Sequence, residues 1–400
     1  MFRPKSILAA VAILFLALPA AAKTIHVAAG PNAQERLQGA LIEAAPGDIV
    51  EIGAGRFDLT DGLSLDVDRV TVRGAGPGKT VLSFKGQLGA GEGLLVTSDD
   101  VVLRGFAVED SRGDGIKSKG ADRIVYKDIR VEWTGGPKAT NGAYGVYPVE
   151  SQWVLVDGVT VIGASDAGIY VGQSAHIVVR NSTAQGNVAG IEIENCAFAD
   201  VYDNLATHNT GGILVFDLPN LPVRGGGHIN VYNNRVIDND TANFAPPGNI
   251  VASVRKGTGV LIMANSDVSV TGNTLSGHAT SNIMIISYRQ PFTDAGYNPY
   301  PRRITVSGNT HGKAGFAPQL PGGDQLAGAF GGSIPPILWD GTGGPELELR
   351  VSDTVPVLSM NLALGAETET AQPALVKLEG PALARMPGVK LPESMEAAAQ

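Results

Sequence analysis

The sequence predicts an all-β protein built from stacked parallel β-coils of about 22–23 residues each. Short apolar segments that open on a glycine return at this step, and a second series of β-branched segments lies between them. The composition agrees, because 52 glycines and only 6% aromatic residues indicate many tight turns and little helix. A fixed step of this length is typical of repeat proteins whose units stack on their neighbours.

The first series of segments establishes the repeat. Its six glycines lie 30, 23, 22, 22 and 47 residues apart, and a seventh segment with Asn282 in the place of glycine follows 23 residues later. The longer intervals indicate insertions between coils. The segments are DGIKSKG (Asp114–Gly120), YGVYPVE (Tyr144–Glu150), AGIYVGQ (Ala167–Gln173), AGIEIEN (Ala189–Asn195), GGILVFD (Gly211–Asp217), TGVLIMA (Thr258–Ala264) and SNIMIIS (Ser281–Ser287).

The second series supplies two more strands to each coil. Segments such as RIVYKDIRVEW and HIVVRNSTAQG hold two short β-branched alternations split by Gly, Asp or Asn, which tolerate the left-handed turn conformation. An antiparallel sandwich is the alternative for many short strands, but one segment type that returns at a fixed step favours the coil. Recurrent asparagines predict a ladder of side-chain amides between coils, formed by Asn181, Asn204, Asn234, Asn273 and Asn309.

The N-terminal region predicts a strand at Thr24–Ala28 and then a short amphipathic helix. Asn32 is placed to cap this helix, and Glu35 three residues later would complete a capping box. Pro46-Gly47 then ends it. A helix in this place would cover the open end of the strand stack, which otherwise exposes core.

This helix, the PGD turn and the following EIGAGRFDLTDGLSLDVDRVTVRGAG resemble the N-terminal cap and first coils of the pectate-lyase-like superfamily. Over about Thr24–Gly312, the chain is most similar to the exported parallel β-helix repeat-containing proteins, which have no established activity. The resemblance implies a right-handed single-stranded parallel β-helix with an N-terminal amphipathic helix cap and an irregular C-terminal extension. It does not choose a function, since the superfamily holds lyases, hydrolases, epimerases, adhesins and binding proteins.

The domain organisation follows from these segments. Residues 1–22 have a basic start, an apolar run and small residues before a cleavage point after Ala22, as in a secretory signal peptide. Residues 23–52 form the N-terminal cap and residues 53–315 the β-helix repeats. Residues 316–400 form a C-terminal extension that caps the last coil or folds back along the stack, with a frayed end. We expect an exported protein, periplasmic or secreted, without a transmembrane segment in the mature chain.

Charge and cysteine content exclude two classes of protein. The formal charge is −9, and loss of Arg3 and Lys5 with the signal peptide would take it to −11. Without a basic run, nucleic acid is excluded as a partner. Cys196 is the only cysteine, so no disulfide can form within the chain and stability must come from packing.

Period-two alternation sorts the first series into an inward apolar face and an outward face. Strands in such a stack lie about 4.8 Å apart, so Lys117 and Glu194 would be about 14 Å apart, within one cleft. The outward face changes from basic to aromatic, acidic and apolar along the axis. Its two columns are Lys117, Tyr147, Tyr170, Glu192, Leu214, Leu261 and Met284, and Lys119, Val149, Gly172, Glu194, Phe216, Met263 and Ile286.

We interpret the basic, aromatic and acidic part of this face as a site for a polysaccharide or oligosaccharide. Tyr147 and Tyr170 would stack on sugar rings, and Lys117 and Lys119 would neutralise a uronate carboxylate. The alternative is a solvated sheet face whose charged pairs contribute little. The residues expected to bind sugar hydroxyl groups at the strand ends are Glu150, Gln173, Asn195 and Asp217, and Glu192 and Glu194 are further candidates for substrate binding.

The apolar part of the outward face forms a continuous patch that is too large to remain exposed to solvent. We expect the insertions Leu218–Gly227 and Thr241–Thr258, or the C-terminal extension, to cover it. A partner protein is the alternative cover.

YGVYPVES is similar to the YG-x-DPHE-type segment of mannuronan C5-epimerases, with matches at Tyr144, Gly145, Pro148 and Glu150. The resemblance implies that Tyr144 transfers the proton. It further implies that Lys117 or Lys119 stabilises the enolate formed at the uronate.

The segment departs from that motif at the acid–base pair. Tyr147 stands where the motif has Asp, and Val149 where it has His, so the acid–base partner is missing. Tyr147 is kept with Lys117 and Tyr144 as a candidate catalytic residue.

Two other chemistries use the same face. A uronate lyase needs a base and a cation, and Glu192, Glu194 and Asp217 could hold Ca²⁺. A hydrolase needs two carboxylates, and Glu192 and Glu194 lie about 7 Å apart on one strand face. We therefore expect an exported β-helix protein that binds or modifies an acidic or neutral polysaccharide along the Lys117–Asp217 face, with lyase-like or epimerase-like chemistry if it modifies it. A non-catalytic envelope protein with a partner on that face is the alternative.

Overall fold

The computed structural model describes residues 22–381, 383–384 and 386–400. The predicted signal peptide lies outside these residues except for Ala22. No helix among the described residues has the length and apolar character needed to cross a membrane.

The chain winds through three long sheets in turn, so that each coil adds one strand to each sheet. Within a sheet, successive strands pair in parallel, for example Ala167–Gly172 with Ala189–Glu194 and then Gly211–Phe216. This arrangement confirms the predicted right-handed parallel β-helix. The domain boundaries stay predictions.

We name the sheets by their order within a coil. Sheet 1 consists of Leu63–Leu65, Leu94–Val96, Ile116–Lys119, Tyr144–Val149, Ala167–Gly172, Ala189–Glu194, Gly211–Phe216, Thr258–Met263, Ser281–Ile286, Ile337–Trp339, Val357–Ser359 and Ala374–Val376. Sheet 2 consists of Thr24–Val27, Ile49–Ile52, Thr71–Arg73, Val102–Arg104, Ile124–Lys127, Gln152–Asp157, Ala175–Arg180, Ala197–Tyr202, Gly227–Tyr232, Ser266–Thr271, Arg302–Ser307 and Arg350–Val351. Sheet 3 consists of Gly55–Asp58, Thr80–Ser83, Ala107–Glu109, Arg130–Glu132, Thr160–Ile162, Thr183–Gln185, Leu205–Thr207, Arg235–Ile237, Thr274–Ser276 and Thr310–His311.

Helical segments lie at the ends and in the insertions. The α-helices are Ala33–Glu43, Gly323–Ala329 and Glu393–Ala398, and the 3₁₀ turns are Ile250–Ser253, Pro345–Leu347 and Thr368–Thr370.

The core is the inward face of the three sheets. Ile191 pairs with Ile213 on the next coil, and both are fully buried. Burial of such a side chain contributes about 1.5–3 kcal/mol, and the stack repeats this contact on every coil. The predicted inward columns are therefore correct, and alternate residues such as Glu192 face the other side of sheet 1.

A ladder of asparagine side chains joins the equivalent turn of successive coils. The Nδ2 of Asn204 donates to Asn234 Oδ1 at 3.0 Å, and Asn234 and Asn273 repeat the contact as far as Asn309. Asn181 was predicted in this ladder but is exposed, because Ser182 takes the position, and the backbone N–H of Ser182 donates to Asn204 Oδ1 at 2.9 Å.

A second ladder at another turn was not predicted. It joins Asn187, Asn209 and Asn239 and ends on His278. Both ladders satisfy buried turn amides that no strand pairing could reach.

The N-terminal helix packs its buried face, including Leu37 and Leu41, into the main core. The predicted capping box is wrong. Asn32 has φ 54°, a left-handed conformation rather than the extended backbone of a capping residue, and it makes no side-chain cap. The helix instead covers the edge of sheet 1, where the side-chain amide of Gln38 pairs with both backbone groups of Ser64, at 2.9 and 3.0 Å. Such cover protects an edge strand from association.

The C-terminal extension does both things that were expected of it. Ile337–Trp339 and Val357–Ser359 continue sheet 1, and the antiparallel strand Ala374–Val376 closes it. The chain then returns along sheet 2 to the helix Glu393–Ala398. There Arg180 forms a two-pronged ion pair with Glu396 at 2.8 and 3.2 Å.

The predicted fraying of the C-terminus is wrong. Met395 is 3% exposed, since it packs with Leu155 and Val178 on the outer face of sheet 2.

The apolar part of the outer face of sheet 1 is covered from within the chain. Leu214 and Phe216 are buried beneath Val251 and Val254 of the Thr241–Thr258 insertion. Ile334 of the C-terminal extension also covers it, as do the rings of Tyr288, Phe292 and Tyr297 on a loop that was not predicted as cover. The intramolecular cover is thus confirmed, and this surface needs no partner protein.

Candidate functional site

Four carboxyl groups meet beside the covered part of sheet 1, and we call them the acidic cluster: Asp114, Asp166, Glu192 and Glu194. Glu192 and Glu194 come from one strand, whose outward positions register with Tyr170 and Gly172 of the preceding coil. Asp166 lies directly before the strand Ala167–Gly172. Tertiary structure adds Asn249 of the Thr241–Thr258 insertion, whose Nδ2 donates to Asp166 Oδ2 at 2.8 Å.

Three tyrosines form the wall next to the acidic cluster. The ring centroids of Tyr144, Tyr147 and Tyr170 lie 4.5, 4.6 and 4.9 Å apart in pairs. Tyr144 and Tyr147 are partly exposed, whereas Tyr170 is buried. Edge-on and tilted ring contacts of this kind are favourable and rigid.

Gly172 allows Tyr170 to reach the acidic cluster. A Cβ on Gly172 would lie 2.4 Å from the ring of Tyr170, so only glycine leaves room for the ring to fold back over this strand. The Tyr170 hydroxyl then donates to Glu194 Oε1 at 2.7 Å.

Burial raises the pKa values of the acidic cluster. Desolvation and the nearby charge of Glu194 raise the pKa of Asp166 to about 7, although Asn249 and the Tyr144 hydroxyl donate to it. The pKa of Asp114 rises to about 6, again chiefly through burial.

Glu192 and Glu194 titrate as a coupled pair. Burial raises the pKa of both, and the pKa of Glu192 lies well above its ordinary range because Asp166 and Glu194 add negative charge. The spacing of about 7 Å expected for this pair from the strand stays a prediction.

The predicted lysines lie at the rim and are already paired. Lys117 Nζ lies 3.2 Å from Glu92, 3.8 Å from Asp114 and 4.9 Å from the centre of the Tyr147 ring. Lys119 lies 3.7 Å from exposed Glu150. Burial also raises the pKa of Tyr147 to about 12 and the pKa of Tyr144 further, so neither phenol ionises readily at neutral pH.

The structure separates three predicted residues from this site. Asn195 is buried and holds the next insertion, with its amide bonded to Leu218 and Val223. Asp217 is buried under the loops that carry Gly225 and Tyr297, and that burial raises its pKa to about 6. Gln173 lies at a left-handed turn, and its buried Oε1 has no partner. The open face expected for Asn195 and Asp217 is therefore wrong, because insertions cover it.

The expected calcium ligands do not converge. Asp217 lies under this cover, and its negative charge helps to raise the pKa of Glu194. Among the described residues, no group of three or more His, Cys, Asp or Glu side chains has a metal-binding arrangement.

Sequence reasoning missed Asp114, Asp166 and Asn249. Asp114 and Asp166 each lie one or two residues before the repeating glycine, so a search for acids at that position would have found both. Asn249 carried no such signal, since it lies 83 residues from Asp166 in the chain.

A cavity of about 990 Å³ lies elsewhere, between sheet 2 and the returning C-terminal segment. Hydroxyl and amide groups such as Asn230, Ser269 and Thr305 line it. Its charged lining consists of Asp200, Asp267, Arg303, Arg350 and Glu379, and Arg303 forms an ion pair with Asp267.

The stability of a Glu192→Gln variant is expected to depend less on pH than that of the parent. The folded pKa of Glu192 lies above its ordinary value of 4.5, so the folded chain binds more protons in that window and stability falls as pH rises through it. Gln stays neutral. The free energy of unfolding of the variant should equal that of the parent near about pH 4 and exceed it near about pH 8. The expected gain is about 1.4 kcal/mol for each tenfold difference in the proton affinity of Glu192 between the folded and unfolded chain. Urea unfolding at both pH values measures this, and an equal difference at both would contradict it.

Comparison with known proteins supports the architecture. Residues 80–225 match a family model described as the right handed beta helix region. This match agrees with the right-handed parallel β-helix fold of the described residues. No curated protein matches this β-helix chain in sequence.

Solved structures with similarity to this β-helix are distant. The A-module of a mannuronan C-5 epimerase from Azotobacter vinelandii is 16% identical with a TM-score of 0.49, over 71% of this chain and 85% of that one. A family 28 exopolygalacturonase from Yersinia enterocolitica is 11% identical with a TM-score of 0.47, over 84% and 70%. An alginate lyase from Paenibacillus is 16% identical with a TM-score of 0.37, over 73% and 97%. At these values no substrate or mechanism transfers to this β-helix.

Proposed function

We propose that this β-helix binds a polysaccharide along sheet 1 and hydrolyses it by general acid catalysis at the acidic cluster. The observation that carries the proposal is Asp166, a carboxyl group with a pKa of about 7 beside partly exposed tyrosine rings. A carboxyl that remains protonated near neutral pH is what glycosidic cleavage requires of its acid.

The acidic cluster offers both partners of such a reaction. Asp166 would donate its proton to the glycosidic oxygen as the bond to the anomeric carbon breaks. Glu194 would accept a proton from the water that adds to that carbon. Glu194 suits this role better than Glu192, because it is 7% exposed against 1% and receives the Tyr170 hydroxyl.

The tyrosine wall would hold the sugar. Tyr147 and Tyr144 present ring edges and faces at the rim, and sugar rings pack on such surfaces. In this proposal Tyr144 and Tyr147 hold the sugar, while Lys117 stays paired with Glu92 and Asp114. The catalytic roles expected of Lys117, Tyr144 and Tyr147 stay predictions.

A uronate lyase or epimerase is the second candidate. The contact of Lys117 with the Tyr147 ring beside Tyr144 favours it, since that chemistry uses a cation next to a phenol. Against it, both lysines are paired with carboxylates and both phenols have raised pKa values. Export of the protein also remains a proposal.

The test is to incubate the purified chain with neutral, aminated and uronic polysaccharides. Hydrolysis creates new reducing ends without ultraviolet absorbance, whereas a lyase also creates absorbing unsaturated products. We expect the first pattern. Absorbing products from a polyuronate would favour the lyase, and binding without any product would favour the non-catalytic alternative.

A further inference from the structure

We propose that the acidic cluster takes a polysaccharide whose sugar units carry free amino groups, rather than a polyuronate. The inference rests on the proposed function and names its substrate class. It follows from the ammonium group of Lys117 that the site already binds, and from the negative charge of the carboxyl groups that no cation balances.

The site binds an ammonium group of its own. Lys117 Nζ lies between Glu92 and Asp114 at 3.2 and 3.8 Å, against the ring of Tyr147 at 4.9 Å. Two carboxylates and an aromatic ring are the groups that recognise an ammonium ion. The side chain of Lys117 thus occupies one position that an amino sugar could use.

A second position lies deeper and holds no cation. The Oε2 atom of Glu192 is buried without a hydrogen-bond partner, and the residue is 1% exposed. The groups that act on the carboxyls of Asp166, Glu192 and Glu194 are each other, the carboxyls of Asp114 and Asp217, tyrosine hydroxyls and the amide of Asn249, and none of these groups is a cation. A buried polar atom without a partner costs free energy, and an incoming N–H donor would satisfy it.

The balance of charge excludes an anionic sugar. Four carboxyls of the acidic cluster, with Glu92 and Glu150 at the rim, face two lysines, and both lysines already contact carboxylates. A uronate would add negative charge beside groups that burial already keeps partly protonated. An ammonium group would instead favour their ionised forms and gain charge-assisted hydrogen bonds.

The experiment compares three hexamers with the full chain: glucosamine units, N-acetylglucosamine units and galacturonate units. We expect the aminated hexamer to bind at least about tenfold tighter than the N-acetylated one, and its affinity to fall as salt is added. Equal or tighter binding of either other hexamer would overturn the inference.

Two variants distinguish binding at the ammonium position from general attraction to a negatively charged surface. Lys117→Met vacates the ammonium position while keeping the length of the side chain, so it should tighten the aminated hexamer and leave the N-acetylated hexamer unchanged. Lys119→Met, whose lysine pairs only at the exposed rim, is the matched control. A gain from both variants alike would reflect net charge and overturn the assignment.

The two proposals fail in different ways. Cleavage of an N-acetylated polymer with no preference for amino groups would keep the hydrolase and remove its substrate class. Tight binding of the aminated hexamer with no cleavage of any polymer would keep the ammonium site and remove the hydrolysis.

Discussion

Replacement of Asp166 by Asn is expected to lower the rate of polysaccharide cleavage by about two to four orders of magnitude, the usual contribution of a general acid. The amide cannot donate an acidic proton to the leaving oxygen, yet it is nearly isosteric and can still bond to Asn249, 2.8 Å from the carboxyl. Reducing ends released under initial-rate conditions measure the loss.

Asp217→Asn is the matched control for that result. Asp217 is also a buried carboxyl with a raised pKa of about 6 at the same side of sheet 1, but loops cover it. Because the charge of Asp217 acts on Glu194 only from under this cover, its amide variant should change the cleavage rate by less than about tenfold, far less than Asp166→Asn. A retained rate in Asp166→Asn, or an equal loss in both variants, would contradict the assignment of Asp166 as the acid.

Replacement of Asn234 by Ala is expected to lower the free energy of unfolding by about 3–5 kcal/mol. Asn234 sits in the middle of the ladder, where its Oδ1 accepts two bonds from Asn204 and its Nδ2 donates to Val201 and Asn273. Alanine leaves several of these groups buried and unsatisfied, and the ladder then breaks between two coils.

Asn181→Gly is the control for the ladder. Asn181 was predicted to be equivalent, but it is exposed with φ 52°, a conformation that glycine adopts freely. Its variant loses one hydrogen bond, to Asp157 Oδ1 at 3.0 Å, and should unfold within about 1.5 kcal/mol of the parent. Urea denaturation of the two variants side by side measures the difference, and equal losses would show that the ladder adds nothing beyond an ordinary turn.

Burial of the acidic cluster accounts both for the expected loss of stability at high pH and for the expected acid catalysis. Burial of Glu192 without a partner for Oε2 destabilises the folded chain above its unfolded pKa, and the same burial keeps a proton available. Buried groups that lower the stability of the folded chain are common where function requires perturbed pKa values. Stabilising variants of this cluster should therefore lose activity.

Local sequence determined the coil and its faces. The step of 22–23 residues and the alternation within each segment placed Ile191 and Ile213 inward and Glu192 outward, because strand periodicity is a property of neighbouring residues. The same alignment placed Lys117, Tyr147 and Tyr170 on one face of sheet 1.

Only tertiary structure decided what lies over that face. Asn249 reaches Asp166 across 83 residues, and Glu396 reaches Arg180 across 216, so no local pattern could show which parts of sheet 1 and sheet 2 are covered. The covering segments determined the chemistry, because they buried Glu192 and raised its pKa. The lysines expected to bind a uronate instead form ion pairs with Glu92, Asp114 and Glu150. The sequence by itself therefore determined the fold and the residues along sheet 1, whereas burial and charge pairing, which depend on distant segments, decided which of them can carry a proton.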